Sequence, residues 1–312
     1  MQIAVLGAGA MGSLYGGYLS AANEVVLVDI CKEHISAVNR DGLVVEGVDG
    51  STRTFRPGAT TNCADVGAVD LLIVFVKSMQ TLGALEENRP LIGENTLLLS
   101  LQNGYGNADD MLNFAPKDRI LVGTTSHGCR MKKAGRVHHT GRGATYLGAL
   151  AQDQTNAGMV ADLLTRAGFE TEVSGNVEQL LWSKLFVNVG INPITALLAQ
   201  PNIRIAENPH ANQAARRAVY EAVSVANADG MNFDPATVFE NVCQVAVKTG
   251  NNHSSMFADI ANKRPTEILK INGAVVKKAE QLGIAAPYNT MLTDLILALE
   301  DDYHTQQKEN SQ

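Results

Sequence analysis

The sequence predicts an α/β fold, a doubly wound parallel sheet joined to a second, all-helical domain. Three observations carry that prediction. Apolar runs of strand length alternate with helix-spaced segments through the first half, a glycine-rich turn separates the first run from the first helix, and beyond residues 174–176 only helical periodicity remains. At 312 residues the chain is long for one core, so two domains are expected, at 1–174 and 175–312.

The first run, Ile3 to Leu6, leads through the turn into helix-spaced apolar residues and a second run, Val25 to Val28, which together make a β-α-β unit. The turn reads Gly7-Ala8-Gly9-Ala10-Met11-Gly12, a complete G-x-G-x-x-G in the context its mechanism requires, after a strand and opening a helix. Gly7 permits the tight turn, Gly9 lets a pyrophosphate approach the backbone, and Gly12 lets helix and strand pack closely. The helix amino terminus offers N–H groups and a positive dipole end to phosphates. Asp29 closes the second strand about twenty residues on, where a carboxylate accepts hydrogen bonds from adenosine ribose hydroxyls. These residues define a Rossmann-type dinucleotide site. A carboxylate at Asp29 repels a 2′-phosphate, so NAD(H) is favoured over NADP(H), although Lys32 lies within reach of such a phosphate.

Three further runs, Leu71 to Val76, Thr96 to Leu101 and Ile120 to Val122, have the continuous apolar character of buried parallel strands. Each ends in polar residues, which places Lys77, Asn103, Thr124, Thr125 and His127 at the ligand-binding edge of the sheet, with a structural hydrogen bond the expected role for His127. Val137 to His139 and Thr145 to Leu147 read as extensions of the same sheet, and Glu170 to Val173 as its last strand. Helices are expected at 177–199, 208–230, 235–249, 256–282 and 288–307, separated by Pro201, Asn208-Pro209, Asp234-Pro235 and Pro287, with a frayed polar tail from Thr305.

Composition narrows the function. A net charge of −7, with no run of Lys or Arg longer than two, argues against nucleic acid. The amino terminus lacks the pattern of a signal peptide, and the most apolar window is interrupted by Lys184, Asn188, Asn192 and Pro193, so a cytoplasmic protein without a membrane span is expected. Cys31, Cys63, Cys129 and Cys243 are widely separated and read as reduced, mostly buried thiols. The neighbouring His138 and His139 would point to opposite strand faces, so no metal site is expected.

Within that apolar window, Lys184, Asn188 and Asn192 recur every fourth residue and share one helix face. Its other positions are Leu, Phe, Val and Ile, so the polar face is buried too or lines a cleft, where unpaired amides and ammoniums cost several kcal/mol. One reading is a polar network that holds helices in register. The other is a reaction pocket in which desolvation lowers the lysine pKa toward values useful in general acid catalysis, as hydride reduction of a carbonyl requires.

The segments "VLGAGAMGSLYG", "FVKSMQT", "LQNGYG", "GTTSHG", "LWSKLFVNVGINPITAL", "NNHSSM" and "RPTEILKING" together resemble the ketopantoate reductase (2-dehydropantoate 2-reductase) family along the whole chain. The resemblance implies a Rossmann domain plus a helical domain, with the substrate in a cleft between them. It assigns Lys184 as general acid, donating to the 2-oxo oxygen as hydride reaches C2, and Glu267 as a carboxylate that contacts cofactor ribose and positions the reacting groups. By position, Asn103 lies beside nicotinamide and substrate, while Asn188, Asn192, Asn202, Asn252 and Ser255 bind the carboxylate and hydroxyl ends of a small 2-oxo acid. Lys77 and Cys129 fall on cofactor contacts, the latter chiefly through its backbone.

The chain departs from the family at Leu269-Lys270, at Pro265 and at Asp29-Ile30-Cys31, where many members carry an arginine for NADPH. The family includes NAD-dependent D-2-hydroxyacid dehydrogenases of the mandelate type, an alternative that shares fold, lysine and chemistry. A non-catalytic dinucleotide-binding redox sensor is a further alternative, opposed by the retention of Lys184 and Glu267. The apolar helix faces leave a homodimer open.

Overall fold

The computed structural model describes residues 1–309. They form two compact units, residues 1–102 with 107–180, and residues 103–106 with 181 onward.

The first unit contains β1 (Gln2–Leu6), α1 (Ala10–Leu19), β2 (Glu24–Val28), α2 (Lys32–Asp41), β3 (Leu43–Glu46), β4 (Thr52–Phe55), β5 (Gly58–Thr60), β6 (Leu71–Val74), α3 (Thr81–Glu87) and β7 (Leu97–Ser100). It continues with α4 (Asn107–Met111), β8 (Ile120–Thr125), β9 (Gly128–Lys133), β10 (Arg136–Gly141), β11 (Thr145–Ala149), α5 (Thr155–Arg166) and β12 (Thr171–Val173). Its main sheet has eight strands in the order β12-β11-β8-β7-β6-β1-β2-β5. All pairings are parallel except β11 with β8. The central strands are buried on both faces, which explains their unbroken apolar sequences, such as Leu71–Val74 and Leu97–Ser100. From β1 the chain winds outward to β2 and β5, then returns to the other flank of β1 as β6. That reversal is the topological switch point, the place where such sheets bind ligands.

A second sheet, β4-β3-β10-β9, corrects the expectation that Val137 to His139 extends the main sheet. Along β10, Val137 and His139 are buried and their neighbours less so, an alternation suited to a sheet with one covered face. Its parallel partner β3 lies about ninety residues earlier, aligning Arg136, Val137 and His138 with Val44, Val45 and Glu46. Thr145 to Leu147 does join the main sheet, in the antiparallel sense.

The helical elements are α6 (Val177–Leu198), α7 (Arg204–Glu207), α8 (Pro209–Ala228), α9 (Pro235–Lys248), α10 (Ser255–Ala261), α11 (Asn272–Leu282) and α12 (Pro287–Glu309). Four begin on side-chain caps: Asn176 accepts from the Gln179 N–H group, Asn208 from His210 and Ala211, Asp234 from Thr237, and Ser254 from Phe257. The expected helix 256–282 is two helices. Lys263 adopts φ 53°, and residues 262–271 form an irregular link with a 3₁₀ turn at Ile268–Lys270. Helix α12 is still regular at Glu309, beyond the expected start of fraying, and the end of that tail lies outside the described residues.

Helix α6 is long and apolar enough to cross a membrane, yet its Trp182, Leu185, Phe186, Val189, Ile191 and Ile194 form the core of the second unit with α8 and α11. Its first turn belongs to the first unit, because Val177 fills the space over Gly148, where an added Cβ would lie 2.4 Å from Val177 Cγ2. The units therefore divide after residue 180, six residues later than the sequence reading places the boundary.

Candidate active site

The dinucleotide portion lies in the first unit, at the switch point. Gly7 has φ +95°, and a Cβ there would lie 2.5 Å from the backbone nitrogen of Val76, so the turn after β1 rests directly on the segment after β6. At Gly12 a Cβ would lie 1.9 Å from the Gly7 carbonyl oxygen. At Gly9 it would meet nothing within 4 Å. These glycines thus serve different ends, two permitting backbone contact and one leaving room above the helix terminus. Gly9 is the N-cap of α1 and offers no side-chain cap, so the helix start presents its N–H groups at that open space. Ala8 is buried beneath the turn, while Ala10 and Met11 are partly exposed at it. The arrangement fits a pyrophosphate.

Two polar residues brace this turn without a signal in the motif. The N–H of Gly135 donates to Nδ1 of His34 at 3.1 Å, so Nε2 carries the ring proton and donates to Ser13 Oγ at 3.1 Å, and Ser13 Oγ donates to the Ala8 carbonyl at 2.8 Å. Burial lowers the His34 pKa against the opposing influence of Asp29, which keeps the ring in this neutral form. Asp29 follows β2, its carboxylate accepting the Cys31 N–H at 2.8 Å. Lys77 is exposed just after β6. Gln102 ties the end of β7 to that segment through Val76 O at 2.7 Å and Thr81 Oγ1 at 2.8 Å.

Cys129 lies on β9, opposite His139 in the second sheet, and burial pushes its thiol up to about 12. All four cysteines are free, and Cys31 is exposed, contrary to the expectation of mostly buried thiols. His127 makes the expected structural bond, its Nδ1 lying 2.9 Å from His139 Nε2. Burial, aided by His139 and Arg142, brings its pKa down to about 4.

The second unit gathers another set. Lys184 is half-buried by area, but its ammonium end is enclosed. Burial lowers its pKa to about 8, against the opposing pull of the Glu267 carboxylate. Glu267 is only 7% exposed. The link that carries it is held by Glu300 on α12, whose Oε1 accepts from the Thr266 N–H at 2.9 Å and Thr266 Oγ1 at 2.5 Å.

The Asn103–Gly106 turn, although it directly follows the first unit's sheet, packs here. The Tyr105 N–H donates to the Lys270 carbonyl at 2.8 Å, and its ring lies 4.9 Å from that of Trp182. Gly104 has φ +89°, and a Cβ there would lie 2.6 Å from the same carbonyl. Asn103, Lys184 and Glu267 are thereby drawn into one neighbourhood, each within three residues of this Tyr105–Trp182–Lys270 contact.

The proposed substrate groups divide into two sets. Asn188 and Asn192 continue the Lys184 stripe along α6. Asn192 is buried, and its carbonyl accepts from Ser254 Oγ at 3.4 Å, which brings the "NNHSSM" segment onto the helix. Ser254 is consumed by structure as the cap of α10, while Ser255 and Asn252 are exposed beside it. Asn202 is joined to Asn252 through its backbone N–H at 2.9 Å. Its side-chain nitrogen donates to Thr249 Oγ1, while its buried Oδ1 has no hydrogen-bond partner among the described residues.

A doubly wound sheet with this glycine turn, coupled to a helical unit that holds an enclosed lysine beside a carboxylate, defines a dinucleotide-dependent oxidoreductase. Residues 3–152 match the profile of ketopantoate reductase PanE/ApbA, and residues 176–300 that of the ketopantoate reductase PanE/ApbA C-terminal region. The chain belongs to the ketopantoate reductase family. It is 38% identical to a 2-dehydropantoate 2-reductase of Halobacterium salinarum, over 97% of this chain and 100% of that protein. It is 36% identical to one of Pyrococcus abyssi, over 95% and 97%. Among solved structures it is similar to a D-mandelate dehydrogenase in ternary complex with NADH and anilino(oxo)acetate, with a TM-score of 0.92, 30% identity and coverage of 97% and 99%. A ketopantoate reductase from Ralstonia eutropha gives a TM-score of 0.89, 30% identity and coverage of 97% and 100%.

Proposed function

We propose that this protein reduces 2-dehydropantoate to D-pantoate with a nicotinamide cofactor and that Lys184 donates the proton. The observation that carries the reading is the enclosed Lys184 ammonium, its pKa brought to about 8, beside the Glu267 carboxylate. The nicotinamide, when bound, supplies the hydride to C2. Lys184 gives its proton to the 2-oxo oxygen, so one hydride and one proton reduce the carbonyl to the secondary alcohol, and the resulting amine is reprotonated from solvent. Glu267 stabilises the ammonium before transfer and orients it, and the Thr266–Glu300 bonds fix Glu267. Asn103 holds the reacting end, while Asn188, Asn192, Asn202, Asn252 and Ser255 bind the carboxylate and hydroxyl. Amides and hydroxyls do so without competing for the transferred proton.

The cofactor would lie across Gly7 to Gly12, with Lys77 and the Cys129 backbone at its edge. Asp29 favours NADH, because a carboxylate at the end of β2 would repel a 2′-phosphate. A second reading, a D-2-hydroxyacid dehydrogenase of the mandelate type, draws support from Asp29 and from the structural similarity to the D-mandelate dehydrogenase bound to NADH.

Initial rates with NADH and NADPH, against 2-dehydropantoate and a panel of branched and aromatic 2-oxo acids, test both readings. The first expects 2-dehydropantoate to lead the panel, and a larger aromatic acid leading with NADH moves the assignment to the second. Lys184→Ala should retain dinucleotide binding while turnover falls by orders of magnitude. Unchanged turnover would remove Lys184 from the mechanism.

A further inference from the structure

A cavity of about 630 Å³ opens in the first unit, away from the glycine turn. It is lined by the carboxyl end of α1, by the β3–β4 hairpin, by residues on and after β10, and by the carboxyl end of α5. Helix α1 carries the glycine turn at its amino end and the cavity at its other end. Its ten residues separate the two by about 15 Å at 1.5 Å per residue.

The lining is cationic. Arg53, Arg142 and Arg166 all face the cavity, from three different elements. Among the described residues none of the three guanidiniums is in a salt bridge. Asp49, also in the lining, acts on Arg142 only at longer range, its carboxylate bonded to Ser51 Oγ at 2.6 Å. The Arg53 guanidinium carbon lies over the Tyr18 ring, 5.3 Å from its centre, which holds the fork at the cavity wall.

The fourth group is buried. His139 is 3% exposed and lines the same cavity. Its Nε2 is engaged with His127, while its Nδ1 makes no hydrogen bond; burial, aided by Arg142, lowers its pKa against the opposing influence of the Gly141 backbone. A buried ring nitrogen without a bonded partner costs free energy that a ligand would recover.

We propose that this cavity is a second ligand site, distinct from the dinucleotide turn, for a small molecule carrying two or more phosphate groups. Three guanidinium forks around one cavity suit several anionic oxygens, since each fork binds phosphate in bidentate fashion. The volume is that of a small-molecule site.

Inorganic pyrophosphate is the probe, titrated by calorimetry with and without NADH, with His139 ring signals followed by NMR. The expected result is saturable binding that persists at saturating NADH, is tighter than that of orthophosphate and shifts the His139 signals. Binding should weaken roughly tenfold or more in Arg142→Ala/Arg166→Ala. Both arginines are exposed, and the double lysine variant, which keeps charge but loses the fork, should fall between. Pyrophosphate that NADH displaces and that ignores the double alanine variant sits on the α1 turn and overturns the proposal. The absence of saturable binding at millimolar concentration overturns it equally.

Discussion

The enclosed lysine makes a quantitative prediction about pH. With Lys184 as the proposed proton donor, reduction requires its ammonium form, and burial brings its pKa to about 8. Roughly nine-tenths of the protein is then competent at pH 7 and one-tenth at pH 9, so the rate of reduction falls about tenfold across that interval. Oxidation of the hydroxyacid uses the neutral amine and should show the mirror profile, rising through the same inflection. Glu267→Gln removes the carboxylate that opposes desolvation, so the inflection must move to lower pH.

The same group links pH to stability. A lysine whose folded pKa is depressed from 10.5 to about 8 costs stability while it is protonated, on the order of 3 kcal/mol as an upper figure. Between those two values the folded protein has released the proton and the unfolded chain has not, so this contribution to stability rises with pH through that window. The assays are initial rates in both directions over a pH series, with urea unfolding of the wild type against Lys184→Met/Glu267→Gln. A reduction profile without an inflection near pH 8, or an alkaline shift in Glu267→Gln, would refute the assignment.

The two helix-start glycines should separate fold from binding. Gly12→Ala forces a Cβ to 1.9 Å from a backbone oxygen and should lower stability by about 1–3 kcal/mol by thermal melting. Gly9→Val enters open space and should leave the melting temperature unchanged while weakening dinucleotide binding at least tenfold, read by nicotinamide fluorescence. Glu300→Ala, which touches neither reactant, should release the Thr266–Glu267 link, lower kcat more than it alters KM, and displace the pH inflection. Trp182→Ala opens a cavity under Tyr105 and should cost about 3–5 kcal/mol in urea unfolding, whereas Trp182→Phe should cost far less.

The central sheet was legible because its strands are buried on both faces and so appear as unbroken apolar runs. The second sheet was not, because its strands are half-buried and its parallel pair joins segments about ninety residues apart, which no local pattern records. The break between α10 and α11 was masked by continuity of the apolar face. Met256, Ile268, Ile271 and Val275 all pack into one core, so the spacing persists through a link that is not helical, and only Arg264-Pro265 marked it. In the site, the α6 stripe and the glycine turn announced themselves by spacing. The bracing of Glu267 by Glu300, and of Ala8 by Ser13 and His34, depends on side chains brought from distant segments.

The Asn103–Gly106 turn has a consequence for any attempt to take the protein apart. The chain passes between the two units after residues 102, 106 and 180, so no single cut yields both intact. A fragment ending at residue 180 keeps Tyr105 but loses the Trp182 ring and the Lys270 carbonyl against which it packs, and the complementary fragment uncovers that tryptophan. The dinucleotide half is therefore not an exchangeable cassette. Grafting it onto another catalytic half would require transplanting those four residues' partners along with it.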